Sequence, residues 1–179
     1  MEIVKTKWTI DPAHSEIIFK VRHLMITNVK GEFRTFEANL ISEGNDFSNA
    51  DVSVTIDASS IFTNSDARDA HLKSADFFDV EKFPQITFKS TEVKKIDSES
   101  FKLVGDLTMK GISNIITLDV DFGGVIIDPY GKEKAGFSIS GKFIRKDWGL
   151  TWNAALESGG VMVSDEVRFN AEVQFIKEA

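Results

Sequence analysis

Almost the whole of this 179-residue chain alternates apolar and polar side chains with a period of two, the spacing of a strand that buries one face and wets the other. Ile17, Phe19 and Val21 interleave with Glu16, Lys20 and Arg22; Val52, Val54, Ile56 and Ala58 with Asp51, Ser53, Thr55 and Asp57. Later runs place Phe101, Leu103, Gly105, Leu107 and Met109 on one face, then Ile116, Leu118, Val120 and Phe122, then Phe137, Ile139, Gly141 and Phe143. The last run carries Val163, Val167, Phe169, Ala171, Val173 and Phe175. About eight such strands at short intervals predict a single all-β domain over residues 1–179, a meandering antiparallel β-barrel whose closure removes sticky edges. A barrel of about eight strands has a lumen that side chains fill or that holds one small or elongated ligand.

Turn chemistry divides the runs. Asp11-Pro12 predicts a hairpin between Trp8–Ile10 and Ser15–His23, and a break follows at Asn28-Val29-Lys30-Gly31. Phe33 and Phe36 cannot both point inward from a regular strand, so a bulge is expected near Arg34-Thr35. Asp128-Pro129-Tyr130-Gly131 fits a type I turn, and a loop from Asp147 to Gly160 holds Trp148 and Trp152. Gly105 and Gly141 fall on inward faces, where they imply a strand kink or space in the lumen.

One stretch breaks the alternation. Ser65 and Asp66 cap a helix start, Ala67, Ala70, Leu72 and Ala75 favour a turn or two, and Pro84 stops the helix before the next strand. A short helical crossover is expected near residues 66–79, carrying His71 and the pair Phe77-Phe78 as a plug across one barrel end, with Leu72 packed beneath.

Composition narrows the chemistry. Fifteen Phe against one Tyr and three Trp give aromatic surface without hydroxyl handles, suited to a dry core or an apolar cavity. A net charge of −7 and the absence of any basic run longer than two residues disfavour nucleic acid and anionic membrane surfaces as partners. The chain has no cysteine, which excludes disulfides and thiolate chemistry. Its start has no apolar signal-peptide core, and no run of about 18 apolar residues spans a membrane, so stable membrane insertion is not expected. The expected location is the cytoplasm, or the periplasm if a leader has been removed.

Several fragments together resemble the YceI-like family of lipocalin-like, polyisoprenoid-binding barrels. They are Asp11-Pro-Ala-His14-Ser15 through His23, Gly31-Glu-Phe33-Arg-Thr-Phe36, Arg68-Asp69-Ala-His71-Leu72-Lys-Ser74-Ala-Asp76-Phe77-Phe78-Asp79 with Phe83-Pro84, Gly105-Asp-Leu107-Thr108-Met-Lys-Gly111, Arg145-Lys-Asp147-Trp148-Gly149-Leu150 and Val163-Ser-Asp165-Glu-Val167. The resemblance covers essentially the whole chain. It implies an extended eight-stranded barrel whose apolar pore holds a polyprenyl chain or similar lipid, and a homodimer. Trp148 stands where such proteins more usually carry Phe, which would reshape the mouth.

The expected lumen residues are Phe19, Val21, Phe33, Phe36, Ile56, Phe77, Phe78, Phe88, Leu107, Val120, Phe122, Phe137, Phe143 and Phe169. His23, Arg145 and Asp165 are polar residues on inward parity. Buried charges need partners, so Arg145 and Asp165 either pair to close one barrel end or Arg145, with Lys146 and Arg22 nearby, holds an anionic or carbonyl head group. His14, His23 and His71 lack metal-ligand spacing, and Ser15 points away from His14, so neither a metal site nor a catalytic triad is expected; His14 and His71 are read as structural histidines bonded to backbone carbonyls. No glycine-rich phosphate cradle appears, and no cofactor is expected. The sequence reads as a non-enzymatic carrier of a long-chain isoprenoid lipid of the polyprenyl pyrophosphate or isoprenoid quinone type. A fatty acid or fatty amide carrier, a small hydrolase using His71 or Asp165, and a barrel packed solid are the alternatives.

Overall fold

The computed structural model describes residues 4–154, 156 and 162–178; the Gly160 end of the Trp148 loop and the first three residues of the chain lie outside them. The strands are β1 (Lys5–Ile10), β2 (Glu16–His23), β3 (Thr27–Phe33), β4 (Phe36–Glu43), β5 (Asp46–Asp57), β6 (Ile61–Phe62), β7 (Gln85–Lys95), β8 (Ser100–Met109), β9 (Ile112–Ile127), β10 (Glu133–Ile144) and β11 (Val163–Lys177), with one helix, α1 (Asp66–Lys73). All belong to one sheet, every ladder is antiparallel, and pairing of β1 with β11 closes it.

The eleven segments make eight staves because the first three are each broken once. β1 and β2 lie end to end on the same edge of β11, β1 against Phe175–Lys177 and β2 against 163–172. β3 and β4 make the next stave, pairing with β2 and β1 respectively, and β6 and β5 the third, pairing with β3 and β4. The expected hairpin at Asp11-Pro12 is therefore not there. Asp11 caps a 3₁₀ turn over Pro12–His14, its side chain accepting from Ala13 N, and the chain leaves in the direction it entered. The reversal comes later, at Leu24-Met25-Ile26, so Asn28–Gly31 is continuous strand instead of a break. In place of the bulge expected near Arg34-Thr35 there is a break between two strands: these residues separate β3 from β4, which still lets Phe33 and Phe36 both be buried.

α1 forms where the alternation fails. Ser65 Oγ accepts from Arg68 N at its start, and Ser74 closes its end. The helix follows β6, whose pairing with β3 covers only Glu32 and Phe33. Residues 27–31 of β3 consequently have a strand neighbour on one side only, and α1 with the segment through Phe78 contributes Arg68, His71, Leu72, Phe77 and Phe78 to the cavity wall.

Inward side chains form two apolar clusters. The larger surrounds Trp8, Leu40, Phe47, Leu118, Phe137 and Phe175; the smaller lies at the α1 end around Phe33, Phe77, Ile86, Met109 and Trp148. Trp148 is buried there, edge-on to Phe143 at 5.2 Å between ring centres, and donates its indole N–H to Leu107 O at 2.7 Å. It packs beneath the mouth and does not shape it.

Candidate functional site

The barrel encloses a cavity of about 630 Å³, within the usual range of ligand pockets. On β11 it is lined by Val163, Val167, Phe169, Ala171, Val173 and Phe175, so it follows the strand from Val163 to Phe175. With two residues looped out between Val163 and Val167, this is about 33 Å of strand at about 3.3 Å per residue, or about 25 Å along a barrel axis at usual tilt. The cavity is long and narrow.

Its two ends differ. Phe47, Phe137 and Phe175 form the floor, backed by Trp8 and Phe122; ring centres are 5.5 Å apart for Trp8 and Phe47, 5.1 Å for Phe47 and Phe122 and 5.3 Å for Phe122 and Phe137. Trp8 is fully buried and donates to Ser42 Oγ at 2.8 Å, so its N–H is satisfied. The other end is the mouth, where Arg22, His23, Thr63, Ser65, Arg68, His71 and Arg145 join the wall. No carboxylate lines the cavity among the described residues.

Three phenyl rings lie along the wall because glycine faces them. An added Cβ on Gly31 would stand 2.3 Å from the Phe19 ring, on Gly105 2.6 Å from Phe88, and on Gly141 2.6 Å from Phe169. Gly31 and Gly141 sit directly across the ladder from their rings. Each ring covers glycine backbone instead of standing into the lumen, so a Phe-rich barrel keeps an open interior. Gly105 also faces the point where the β7 ladder slips between Ser90 and Glu92, an irregularity of the kind expected there, whereas Gly141 marks neither a kink nor bare space.

Of the expected lumen residues, Phe19, Val21, Phe33, Ile56, Phe77, Phe78, Phe88, Leu107, Val120, Phe137, Phe143 and Phe169 lie on the cavity wall, with His23 and Arg145. Phe36 and Phe122 do not. Phe36 follows the Arg34-Thr35 break and packs into the core, while Phe122 is held behind Phe47 and Phe137. Asp165 is also off the wall, because β11 loops out extra residues between Val163 and Val167, which pair with His23 and Val21, and parity is lost between them.

That bulge changes the reading of Arg145. Its guanidinium, 3% exposed, donates to four backbone carbonyls: Nη1 to Leu150 O at 2.6 Å and Trp152 O at 2.9 Å, Nε to Ser164 O at 2.9 Å and Nη2 to Val163 O at 3.2 Å. Asp165 approaches only to 3.9 Å, and its Oδ1 is buried without a hydrogen bond. Burial pushes the Arg145 pKa down and Asp165 opposes the shift. Arg145 thus ties the Trp148 loop to β11 and has few donors left for a ligand.

The crossover builds the adjoining side of the mouth, against Trp152. Arg68, His71 and Leu72 share one face of α1 and line the cavity. Arg68 Nε donates to Thr63 Oγ1 at 2.8 Å, and Asp69, buried, accepts from Thr63 N at 2.8 Å. His71 stands edge-on to Trp152 at 4.7 Å and to Phe77 at 5.1 Å, with Nε2 on Asp76 Oδ2 at 2.8 Å. His14 likewise pairs with Asp11 at 2.8 Å, so both histidines are held by carboxylates, not by carbonyls. Phe78 is half-buried and edge-on to Phe33 at 5.9 Å. Sequence reasoning missed Arg68, although its position one turn before His71 placed it on the same helix face, and it missed Phe47. Among the described residues no three His, Cys, Asp or Glu side chains converge as a metal site, and no helix is long and apolar enough to cross a membrane.

A closed eight-stranded antiparallel barrel around a long apolar cavity, floored by aromatics and polar at one mouth, defines the molecule as a lipocalin-like barrel. The YceI-like domain profile matches residues 8–175, and the chain belongs to that family. A UPF0312 protein of Staphylococcus aureus (strain MSSA476) is 46% identical over 171 residues, covering 95% of this chain and 97% of its own. The Campylobacter jejuni YceI protein superposes with a TM-score of 0.73 at 37% identity, over 88% of this chain and 90% of that one. BcnA of Burkholderia cenocepacia gives 0.80 at 19% identity, over 92% and 98%. A polyisoprenoid-binding domain from Saccharophagus degradans gives 0.71 at 11% identity, over 96% and 98%; these last two likenesses concern the fold alone.

Proposed function

We propose that this protein is a non-enzymatic carrier of a single-chain apolar lipid, an isoprenoid of the polyprenyl pyrophosphate or quinone type, held lengthwise in the barrel. The observation that carries the reading is the continuous apolar wall from Phe175 to Val163 with polar side chains at one end only. A ligand matched to it is long, slender and apolar except at one tip. Burial supplies the affinity: a five-carbon isoprene unit gains roughly 3 to 4 kcal/mol gross at about 0.8 per carbon, much of it offset by chain ordering and lost overall freedom. The ligand class named for the Saccharophagus relative is of this kind. Neither carboxylate-bound histidine, His14 or His71, has a hydroxyl hydrogen-bonded to its imidazole among the described residues, and Ser74 Oγ donates to the His71 backbone carbonyl instead, which supports carriage over hydrolysis.

With Arg145 occupied by carbonyls, Arg68, Arg22 and His23 are the polar groups placed to meet the tip. Arg68 has no carboxylate within ion-pair distance among the described residues, which favours a head that is anionic or carbonyl-bearing over a plain alcohol. The test is displacement of a fluorescent acyl probe by prenyl alcohols of increasing length, by the matching pyrophosphates and by fatty acids and amides. Affinity should rise with chain length, and Arg68→Gln should weaken the pyrophosphate selectively. Affinity independent of length would contradict the lengthwise seat. Better displacement by straight acyl chains than by prenyl chains of equal length would assign the cavity to the fatty acid or amide class.

A further inference from the structure

Basic residues scattered along the sequence fall into one row on the folded surface. Lys142 on β10 is directly opposite Arg168 on β11, Arg168 opposite Lys20 on β2, and Lys20 opposite Lys30 on β3. All four are exposed, each contributed by a different neighbouring strand, in a protein whose net charge is −7. Glu166 is the counter-charge within reach, 3.2 Å from Arg168 and 3.7 Å from Lys142, while Lys20 and Lys30 face each other without an ion pair among the described residues. Like charges opposed across a ladder are unfavourable in isolation.

The row lies just behind the turn that joins β2 to β3. Leu24, Met25 and Ile26 are 37%, 46% and 72% exposed, three consecutive apolar side chains held outward. Leu24 and Met25 take positive φ angles of 53° and 63°, a conformation that side chains other than glycine, asparagine and aspartate seldom adopt. The turn is fixed to the cavity wall: Leu24 N donates to Met162 O at 2.8 Å, Arg22 Nε donates to Met25 O at 3.1 Å, and Arg22, His23 and Met162 all line the mouth. Beside it is the length of β3, residues 27–31, that has a strand neighbour on one side only.

We infer that this corner, the Leu24-Met25-Ile26 turn backed by Lys20, Lys30, Arg168 and Lys142, docks on an anionic lipid bilayer and brings the mouth against the acyl layer. The inference rests on the carrier reading for its purpose. The occupant follows from the chemistry: an apolar tip at the rim of an apolar cavity, with a cationic row four residues back. At about 3.4 Å per residue the row is about 14 Å behind the tip, so when the tip sinks about 5 to 10 Å the lysine side chains reach the phosphate layer. The net negative charge turns the rest of the surface away and orients the approach. No linear basic run signals this surface, because each strand contributes one residue.

The test is co-sedimentation of the full chain with phosphatidylcholine vesicles and with mixed phosphatidylcholine and phosphatidylglycerol vesicles. Two double variants are compared with the wild type. Met25→Asn with Ile26→Ser removes the apolar tip, and Asn suits the positive φ. Lys20→Gln with Lys30→Gln removes two charges. The wild type should bind the anionic vesicles best and release at high salt. The charge variant should lose about 25-fold on anionic vesicles, at about fivefold per charge. The tip variant should lose at least as much on both. Variants that partition like the wild type would overturn the assignment, as would a wild type that stays in the supernatant at low salt; the patch would then face a protein. Co-purified lipid and melting temperature, measured on the same samples, separate the two readings. Loss of vesicle binding with lipid retained removes docking alone, whereas wild type that carries no lipid removes the carrier reading whatever the vesicles show.

Discussion

Gly141 shows how single residues set the free space in this barrel. Its missing side chain lets the Phe169 ring lie against the wall, and Gly31 and Gly105 do the same for Phe19 and Phe88. Gly141→Ala would place a methyl group 2.6 Å from the Phe169 ring edge and 3.0 Å from Leu118, so the ring must tilt into the cavity. The expected outcome is a clear fall in bound lipid with a stability loss of about 1 to 3 kcal/mol, read by lipid extraction and denaturant titration. Unchanged lipid content would mean that the ring does not gate the space. The inward parity of Phe169 and Gly141 is legible in the sequence, but their meeting is not, because that depends on the register between two strands. Arg145 teaches the complementary point. Its burial could be read from parity, whereas its four carbonyl partners belong to a loop and a bulge that no periodicity encodes.

At the scale of elements, the breaks carry as much information as the strands. Asp11 reads as a turn signal in the sequence and does make a turn, yet the chain continues along β11 instead of reversing, since a 3₁₀ cap and a hairpin share the same Asp-Pro start. α1 was legible from its cap, its helix formers and Pro84, because those are local signals. The first break is held by Lys134, which bridges Asp11 at 3.1 Å and Asp128 at 3.6 Å with all three side chains largely buried. Burial alone would raise the Asp11 pKa, but hydrogen bonds from His14 and Lys134 hold it below the usual carboxylate value. Asp128 is lowered by backbone N–H donors, from Lys132 first, with a contribution from Lys134. A lowered carboxylate stabilises the fold above its unfolded pKa and loses that contribution as pH falls through the folded value. Lys134→Gln should therefore be less stable than wild type at neutral pH, and the difference should shrink as the pH falls below the ordinary carboxylate range. Urea midpoints measured across that range check this; a difference that stays constant into acid would show that Lys134 acts by packing alone.

At the scale of the whole molecule, the alternation and the number of strands made the closed barrel legible, and the Phe-rich composition was consistent with a dry interior. What composition concealed was distribution. A chain of net charge −7 keeps carboxylates off the described cavity wall and gathers four cations into one row, because topology, not sequence order, decides which residues are neighbours. The central claim is that the lumen holds a lipid chain, and its most direct test is native mass spectrometry of the protein purified without detergent, beside Leu107→Trp and Val120→Trp. Both positions lie on the cavity wall, and an indole at either fills space along the proposed path of the chain. The wild type should carry a non-covalent lipid adduct that organic extraction removes, and the folded tryptophan variants should lack it. A wild type observed only at its polypeptide mass, or tryptophan variants that keep the full adduct, would contradict the account.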